Sequence, residues 1–296
     1  MTWNDAPPPA PARIGPAGWM RVVLRGVPMA LMVFGGLLLL LLLRVVERPL
    51  FGLARPVTPY VTQGVCRAAL VILGLRREVS GSVMRGTGAV VANHVSWLDI
   101  FALNASKRIY FVSKSEVSGW PGIGWLARAT GTMFIRRDRR EARDHADRIA
   151  ERLGLGHRLL FFPEGTSSDG IRLLPFKTTL FAAFFDPALP KDMQVQPVTL
   201  AYHAPFGAPA SFYGWWGDQG FAEHMIRMLA MPRHGRVEVI YHPPLAVADH
   251  ADRKHLARAA EAAVRHGLDR AGVLTEGVVA EAASDPSPGI SPAAAR

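Results

Sequence analysis

The run Asn93-His94-Val95-Ser96-Trp97-Leu98-Asp99 sets a histidine and an aspartate five positions apart, directly after the apolar stretch Ala89 to Ala92. A carboxylate on one imidazole nitrogen fixes the tautomer and stabilises the imidazolium, so the other nitrogen can take a proton from a bound alcohol. That chemistry is general-base catalysis, with His94 as the base and Asp99 as its orienting partner. On one continuous helix of ~3.6 residues per turn, side chains five apart diverge, so the two meet only across a bend. Ser96 supplies one. Ser-Trp-Leu-Asp has the spacing of a capping box, with Ser96 as N-cap and Asp99 reaching back, which leaves His94 in the turn before the helix. The spacing alone fits equally well an aspartate that only caps a helix beside a satisfied turn histidine.

A second block, Leu159 to Ser168, runs from a buried apolar strand into Pro163-Glu164-Gly165-Thr166. It places a carboxylate, hydroxyls and a glycine that lets backbone amides approach a polar headgroup at another strand end. Taken alone it is also an ordinary turn with a surface glutamate. The elements that must carry these blocks are short β-rich runs at Ala89 to Ala92, Ile109 to Val112, Thr132 to Ile135, Arg158 to Phe162, Val195 to Leu200 and Val237 to Tyr241, alternating with helical stretches. That alternation predicts an α/β domain with a central, largely parallel or mixed sheet flanked by helices, and chemistry at the carboxyl ends of its strands. Arg136 to Leu153 is dense in charge yet keeps Ala142, Ala146, Ile149, Ala150 and Leu153 at helical spacing, the pattern of a solvated amphipathic helix.

Together the blocks resemble the glycerolipid acyltransferases, the family that includes the 1-acylglycerol-3-phosphate acyltransferases. All four of its ordered motifs have counterparts. Asn-His-x4-Asp stands at Asn93, His94 and Asp99; Gly-x-x-Phe-Ile-x-Arg appears as Gly131-Thr132-Met133-Phe134-Ile135-Arg136-Arg137; Phe-Pro-Glu-Gly-Thr is Phe162 to Thr166; a proline in an apolar strand is Pro197. The resemblance implies that Arg137 contacts the acceptor's anionic headgroup, that Glu164, Gly165 and Thr166 form part of the acceptor site, and that Pro197 lines the acyl pocket. Arg136 departs from the family, where the position is often acidic, and would add a second phosphate contact or alter headgroup choice. Lys177, in Pro175-Phe176-Lys177, resembles a position often basic in the family, whereas the sequence alone reads it as a solvated lysine.

The implied reaction moves a fatty acyl group from acyl-CoA or acyl carrier protein to the free hydroxyl of a lysolipid, with no cofactor, no metal and no covalent acyl-enzyme. Lysophosphatidic acid, giving phosphatidic acid, is the default acceptor, because Arg136, Arg137 and Lys177 offer charge for a phosphate monoester. The segments Phe111 to Val117 with Trp120-Pro121, and Glu164 to Gly170, also resemble lyso-ornithine lipid acyltransferases, which acylate a 3-hydroxyacyl hydroxyl. The expected partners are the lysolipid, the acyl donor and the bilayer, with no nucleic acid. The expected location is the cell inner membrane, with the catalytic domain on the cytoplasmic side.

The 296 residues, 49% hydrophobic, suffice for one α/β domain with appendages, and the net charge of +10 favours anionic partners. The one cysteine, Cys66, excludes an internal disulfide and a cysteine-based zinc cage, and its apolar setting marks it as inert. Val27 to Leu43 carries no charge and ends in seven leucines, near the lower limit of ~17 to 25 residues for crossing a bilayer. Arg44-Val45-Val46-Glu47-Arg48 follows instead of a small-residue cleavage site, so residues 26–44 read as a retained membrane helix, spanning or entering one leaflet. Residues 1–25, rich in proline at the start, read as a flexible leader; 57–77 as an amphipathic helix that lies in the interface or packs on the domain; 78–275 as the acyltransferase domain; 276–296 as a disordered tail.

His203, His224, His234, His242, His250 and His255 lack regular ligand spacing and read as surface or loop positions. Trp215 and Trp216 suit either an interfacial anchor or packing. A serine hydrolase built on Ser96 lacks a Gly-x-Ser-x-Gly elbow, and a membrane-tethered nucleic-acid or anion binder lacks a P-loop or helix-turn-helix signature.

Overall fold

A computed structural model describes residues 3–9, 13–86, 88–135, 142–187 and 189–275. Among these an eight-stranded mixed sheet forms the centre, built from β1 (Arg76–Gly81), β2 (Gly88–Ala92), β3 (Tyr110–Lys114), β4 (Met133–Ile135), β5 (Leu159–Phe161), β6 (Gln194–His203), β7 (Arg236–Tyr241) and β8 (Leu245–Ala246). The order is β1-β7-β6-β2-β5-β3-β4, with β8 added to β6. β6 through β4 run parallel, whereas β7 and β8 lie antiparallel to β6. The expected α/β sheet is therefore present in its mixed form. β2 is buried at every residue, as a central parallel strand covered on both faces must be, and so reads as continuous Gly-Ala-Val-Val-Ala rather than as an alternation.

Two cores form on the two faces. Val90, Ala92, Leu160, Val198 and Leu200 pack with helices α2 (Thr58–Leu73) and α3 (Leu98–Ser106), and Ala89, Val91, Leu159, Phe161 and Val195 pack with α5 (Ala142–Gly154) and α7 (Arg253–Arg270). The period of two in each strand sends alternate side chains to opposite cores. Two further helices, α4 (Ile123–Thr130) and α6 (Phe221–Ala230), complete the domain. β1 and β8 were not visible as apolar runs: β1 is an exposed edge strand reading Arg-Arg-Glu-Val-Ser-Gly, and β8 is two residues long.

Helix α1 covers Pro16–Phe51, so the expected leader over 1–25 is too long and the expected helix over 26–44 too short. Its most apolar window has a mean hydropathy of 2.6 and is 6% buried, which makes α1 long and apolar enough to cross a membrane. Trp19, Leu24, Leu31, Leu38, Leu42 and Leu50 are exposed. The rest of α1 is held to the domain at both ends. Arg21 Nε donates to the carbonyl of Ala230 at 2.7 Å and Arg25 to that of Leu229 at 3.1 Å, so both cations meet the carboxyl end of α6. At the far end Glu47 accepts from the Val57 and Thr58 amides at 2.6 and 3.0 Å, closing the turn into α2. A Cβ on Gly36 would come within 2.4 Å of a Val65 methyl, so glycine lets α1 approach α2 here without displacing Val65. α2 ends at Leu73 rather than at 77, and it buries Cys66, Ala69, Leu70 and Leu73 while leaving Tyr60 and Val71 exposed. Of its two expected roles, packing on the domain is realised. Nor is the whole leader loose: Trp3 is buried against Trp216.

Candidate active site

β2 and β5 are parallel neighbours with Val91 opposite Phe161, so Asn93-His94 and Pro163-Glu164 leave the sheet side by side at its carboxyl end. This register brings the two sequence blocks together. His94 Nδ1 lies 2.7 Å from Asp99 Oδ2. The backbone amide of His94 donates to Glu164 Oε1 at 2.6 Å, and its ring stacks on Phe162 with centroids 4.1 Å apart and planes 14° apart. Phe111 of β3 stacks behind Phe162 at 6.0 Å. One ring nitrogen is thereby committed to Asp99, the ring plane is fixed, and a side chain 21% exposed presents Nε2.

The bend expected between His94 and Asp99 is present. Ser96 Oγ accepts from the Leu98 amide at 3.1 Å and Asp99 Oδ2 accepts from the Ser96 amide at 3.1 Å, a capping arrangement with helical geometry starting one residue later than the spacing suggested. Oδ2 also accepts from the Val95 amide at 2.7 Å, and Tyr202 donates its hydroxyl to Oδ1 at 2.9 Å. Asp99 is fully buried. Burying a carboxylate is costly, and these donors offset that cost while aiming its charge at the imidazole. Burial first, then the charge of Asp99, raises the Tyr202 phenol well above its ordinary value, so it remains a donor. Ser96 is fully buried with its hydroxyl committed to the cap, which removes it as a nucleophile.

Glu164 is also buried, and desolvation pushes its carboxyl up to about 8 against the pull of the two amides it accepts from, His94 and Leu174. It works as a bracket: one oxygen holds the His94 backbone, and the other holds Leu174 at 2.9 Å. Gly165 takes φ of 72°, a left-handed conformation that favours glycine. Thr166 is half-buried just beyond it, and Ser168 donates its amide to the His94 carbonyl at 3.0 Å. Lys177 is exposed, and its amide donates to the Pro163 carbonyl at 2.9 Å, so it flanks the same turn. Pro197 is buried in β6 opposite Val91. By the alternation of the strand it faces the α7 side, opposite Tyr202, within the sheet rather than at the turn that carries His94. Arg136 and Arg137 lie outside the described residues.

Three contributions were not read from the sequence, among them the role of Asn93, which was named only as a motif residue. Asn93 exchanges two bonds with the backbone of Leu200, at 2.9 and 2.8 Å, extending the β2–β6 ladder through a side chain. Tyr202 shares the period of Val198 and Leu200, and that alternation is the signal that could have placed it on the Asp99 side. His224 is not a surface residue: it is buried, accepts from Trp97 Nε1 at 2.9 Å and meets the Gly214 carbonyl at 2.9 Å through its other nitrogen. Desolvation pushes it down to about 3, so both ring nitrogens are satisfied in the neutral form. Trp216 is likewise core, not an interfacial anchor.

The Acyltransferase family model matches residues 76–201. The lyso-ornithine lipid O-acyltransferase of Rhodobacter capsulatus is 56% identical over 90% of this chain and 95% of its own length. That of Pseudomonas aeruginosa is 41% identical over 64% of this chain and 71% of its own. The 1-acyl-sn-glycerol-3-phosphate acyltransferase of Neisseria gonorrhoeae is 34% identical over 56% and 65%. The crystal structure of the 1-acyl-sn-glycerophosphate acyltransferase from Thermotoga maritima shares the fold, with a TM-score of 0.59 at 18% identity, over 86% of this chain and 96% of that one. With the paired histidine and aspartate at the strand ends, these likenesses identify the chain as a member of the lysolipid O-acyltransferases.

Proposed function

We propose that the acceptor is lyso-ornithine lipid and that the enzyme esterifies the hydroxyl of its 3-hydroxyacyl chain, drawing the acyl group from acyl-CoA or acyl carrier protein. The relatives named for this acceptor match this chain more fully than those named for 1-acylglycerol-3-phosphate, which favours the second of the two acceptors expected from sequence. The observation that carries the chemistry is the 2.7 Å contact from His94 Nδ1 to buried Asp99. Nε2 takes the acceptor's proton as the hydroxyl oxygen attacks the thioester carbonyl. The tetrahedral intermediate then collapses, the C–S bond breaks, and the imidazolium returns its proton to the departing thiolate. Asp99 stabilises the imidazolium between these steps.

The turn of Glu164, Gly165 and Thr166 forms the acceptor wall, with Lys177 beside it. Ile135 ends β4 at the same end of the sheet, since β4 is parallel to β3, which supports Arg136 and Arg137 as headgroup ligands there. Pro197 acts through the packing of β6. Helix α1, 36 residues long, would extend about 54 Å at 1.5 Å per residue, against a hydrocarbon core of about 30 Å. The domain grips it near Arg21 and again at Glu47, so α1 lies along one leaflet of the inner membrane, with the site on the cytoplasmic side, where donor thioesters are made.

The test offers lyso-ornithine lipid and lysophosphatidic acid side by side to purified membranes with labelled acyl donor. Preferential acylation of the ornithine acceptor is expected. Acylation of lysophosphatidic acid alone would reassign the acceptor, and formation of neither product would overturn the reading.

A further inference from the structure

We infer that residues 3–9 are a strap that holds the acceptor side of the active site in place, with Trp3 as its positioning residue. Trp3 is 8% exposed although it stands near the start of a proline-rich segment. Its ring lies 6.3 Å from that of Trp216 and beneath the guanidinium of Arg172, 4.8 Å from the ring centroid. Its indole donates to Asp5 at 2.8 Å, its carbonyl accepts from the Gly217 amide at 3.2 Å, and Trp216 donates its indole to the Ala6 carbonyl at 2.9 Å. The strap therefore grips two loops, 167–172 and 213–217.

Both loops lead directly to the base. Arg172 pairs with buried Asp169 at 2.8 Å, and the neighbouring Ser168 donates its amide to the His94 carbonyl at 3.0 Å. Trp215, beside Trp216, donates its amide to the Val95 carbonyl at 2.9 Å, and Ser167 donates its hydroxyl to the Trp215 carbonyl. A Cβ on Gly214 would sit 2.6 Å from the Asp169 carbonyl oxygen, so the loops touch backbone to backbone. A cation over an indole and a buried tryptophan are stabilising contacts. Pro7, Pro8 and Pro9 stiffen the rest of the strap, lowering the entropy lost when it docks. Because loop 167–172 continues from the Glu164–Thr166 turn, loosening the strap loosens the acceptor wall, while the His94–Asp99 contact stays held by Glu164 on the His94 amide and by the Val95 and Ser96 amides and Tyr202 on Asp99.

This inference rests on the assignment of that turn to the acceptor site. Full-length wild type is first run with both lysolipids, and the strap is tested on the acceptor it uses, so an error in acceptor identity shows in the wild type alone. Trp3→Ala and Trp3→Phe are then compared by varying acceptor and donor separately. For Trp3→Ala the acceptor KM should rise about tenfold, with kcat and donor KM within about twofold, and Trp3→Phe should recover most of the loss. Hydrogen exchange should quicken at Ser168 and Trp215 while β6 and α7 stay protected. An unchanged acceptor KM in Trp3→Ala would overturn the strap. So would equal losses for donor and acceptor, or exchange that quickens throughout the domain.

Discussion

Two buried polar clusters occupy opposite ends of the sheet, and β5 reaches both. At the carboxyl ends of β2 and β5, the carboxyl groups of Asp99 and Glu164 are surrounded by amides, a phenol and an imidazole. At the amino ends of β3, β4 and β5 the arrangement is reversed, with cations surrounded by carbonyls. Arg55 donates to Ala129 at 2.7 Å, Arg152 to Gly131 at 3.0 Å and to His157 Nδ1 at 2.7 Å, and His157 Nε2 meets the Ala54 carbonyl at 3.2 Å. Burial pushes Arg55 down to about 10 and His157 down to about 4. Each histidine has a polar partner on Nδ1. His157 also has one on Nε2 and is buried, whereas His94 presents Nε2 from a partly exposed ring. The difference separates a closed cluster that ties three loops together from an open one that can exchange a proton with a substrate.

His94→Ala should break the contrast most strongly, since it removes the exposed nitrogen and little of the fold. Acyl transfer should fall by about a thousandfold or more with the unfolding transition nearly unmoved, as read by initial rates beside a thermal melt. Asp99→Asn should lose nearly as much, because the amide keeps the shape but loses the charge and the control of the tautomer. Tyr202→Phe leaves Asp99 three of its donors, and about a tenfold loss in kcat is expected, consistent with removal of one hydrogen bond to a buried charge.

In the closed cluster the expectation inverts. Arg152→Met strands the Gly131 carbonyl and removes a partner from His157. It should cost about 2 to 4 kcal/mol of stability in denaturant titrations, with the rate per folded molecule within about twofold of wild type.

The smallest effect is a pH slope. With Glu164 raised to about 8 from its ordinary 4.5, the native state holds this proton more tightly than the unfolded chain does. Its stabilising contribution is complete below 4.5 and drains away as pH rises to 8. Glu164→Gln should flatten the fall in melting temperature across that window. On the acid side, burial lowers His224 to about 3, and His157 and His234 to about 4, from 6.5. Their contribution is lost as pH falls below 6.5, and Glu164→Gln should leave that limb unchanged.

The open cluster was legible in sequence because its parts are local: a strand, a turn and a cap within seven residues, and a strand running into Pro-Glu-Gly-Thr. Their meeting followed from the rule that parallel strands gather chemistry at their carboxyl ends. Residues recruited from a distance were not legible. Tyr202 and Leu200 come from β6, and Arg55, Gly131 and His157 are joined only by the fold. Trp3 read as part of a flexible leader because the prolines from Pro7 onward and the absence of a hydrophobic period dominate that segment, and its partners, Arg172 and Trp216, are remote in the chain. The start of α1 at Pro16 was not legible because Arg21 and Arg25 break the apolar run, and the carbonyls that receive them lie in α6, remote in the chain.

The most direct test of general-base transfer is a rapid-quench experiment with labelled acyl donor, run first without acceptor and then with it. Direct attack by the activated hydroxyl predicts unlabelled protein throughout and label that passes from donor to lipid product only when acceptor is present, with that transfer lost in His94→Ala. An acyl-protein species that forms without acceptor and chases into product would contradict it.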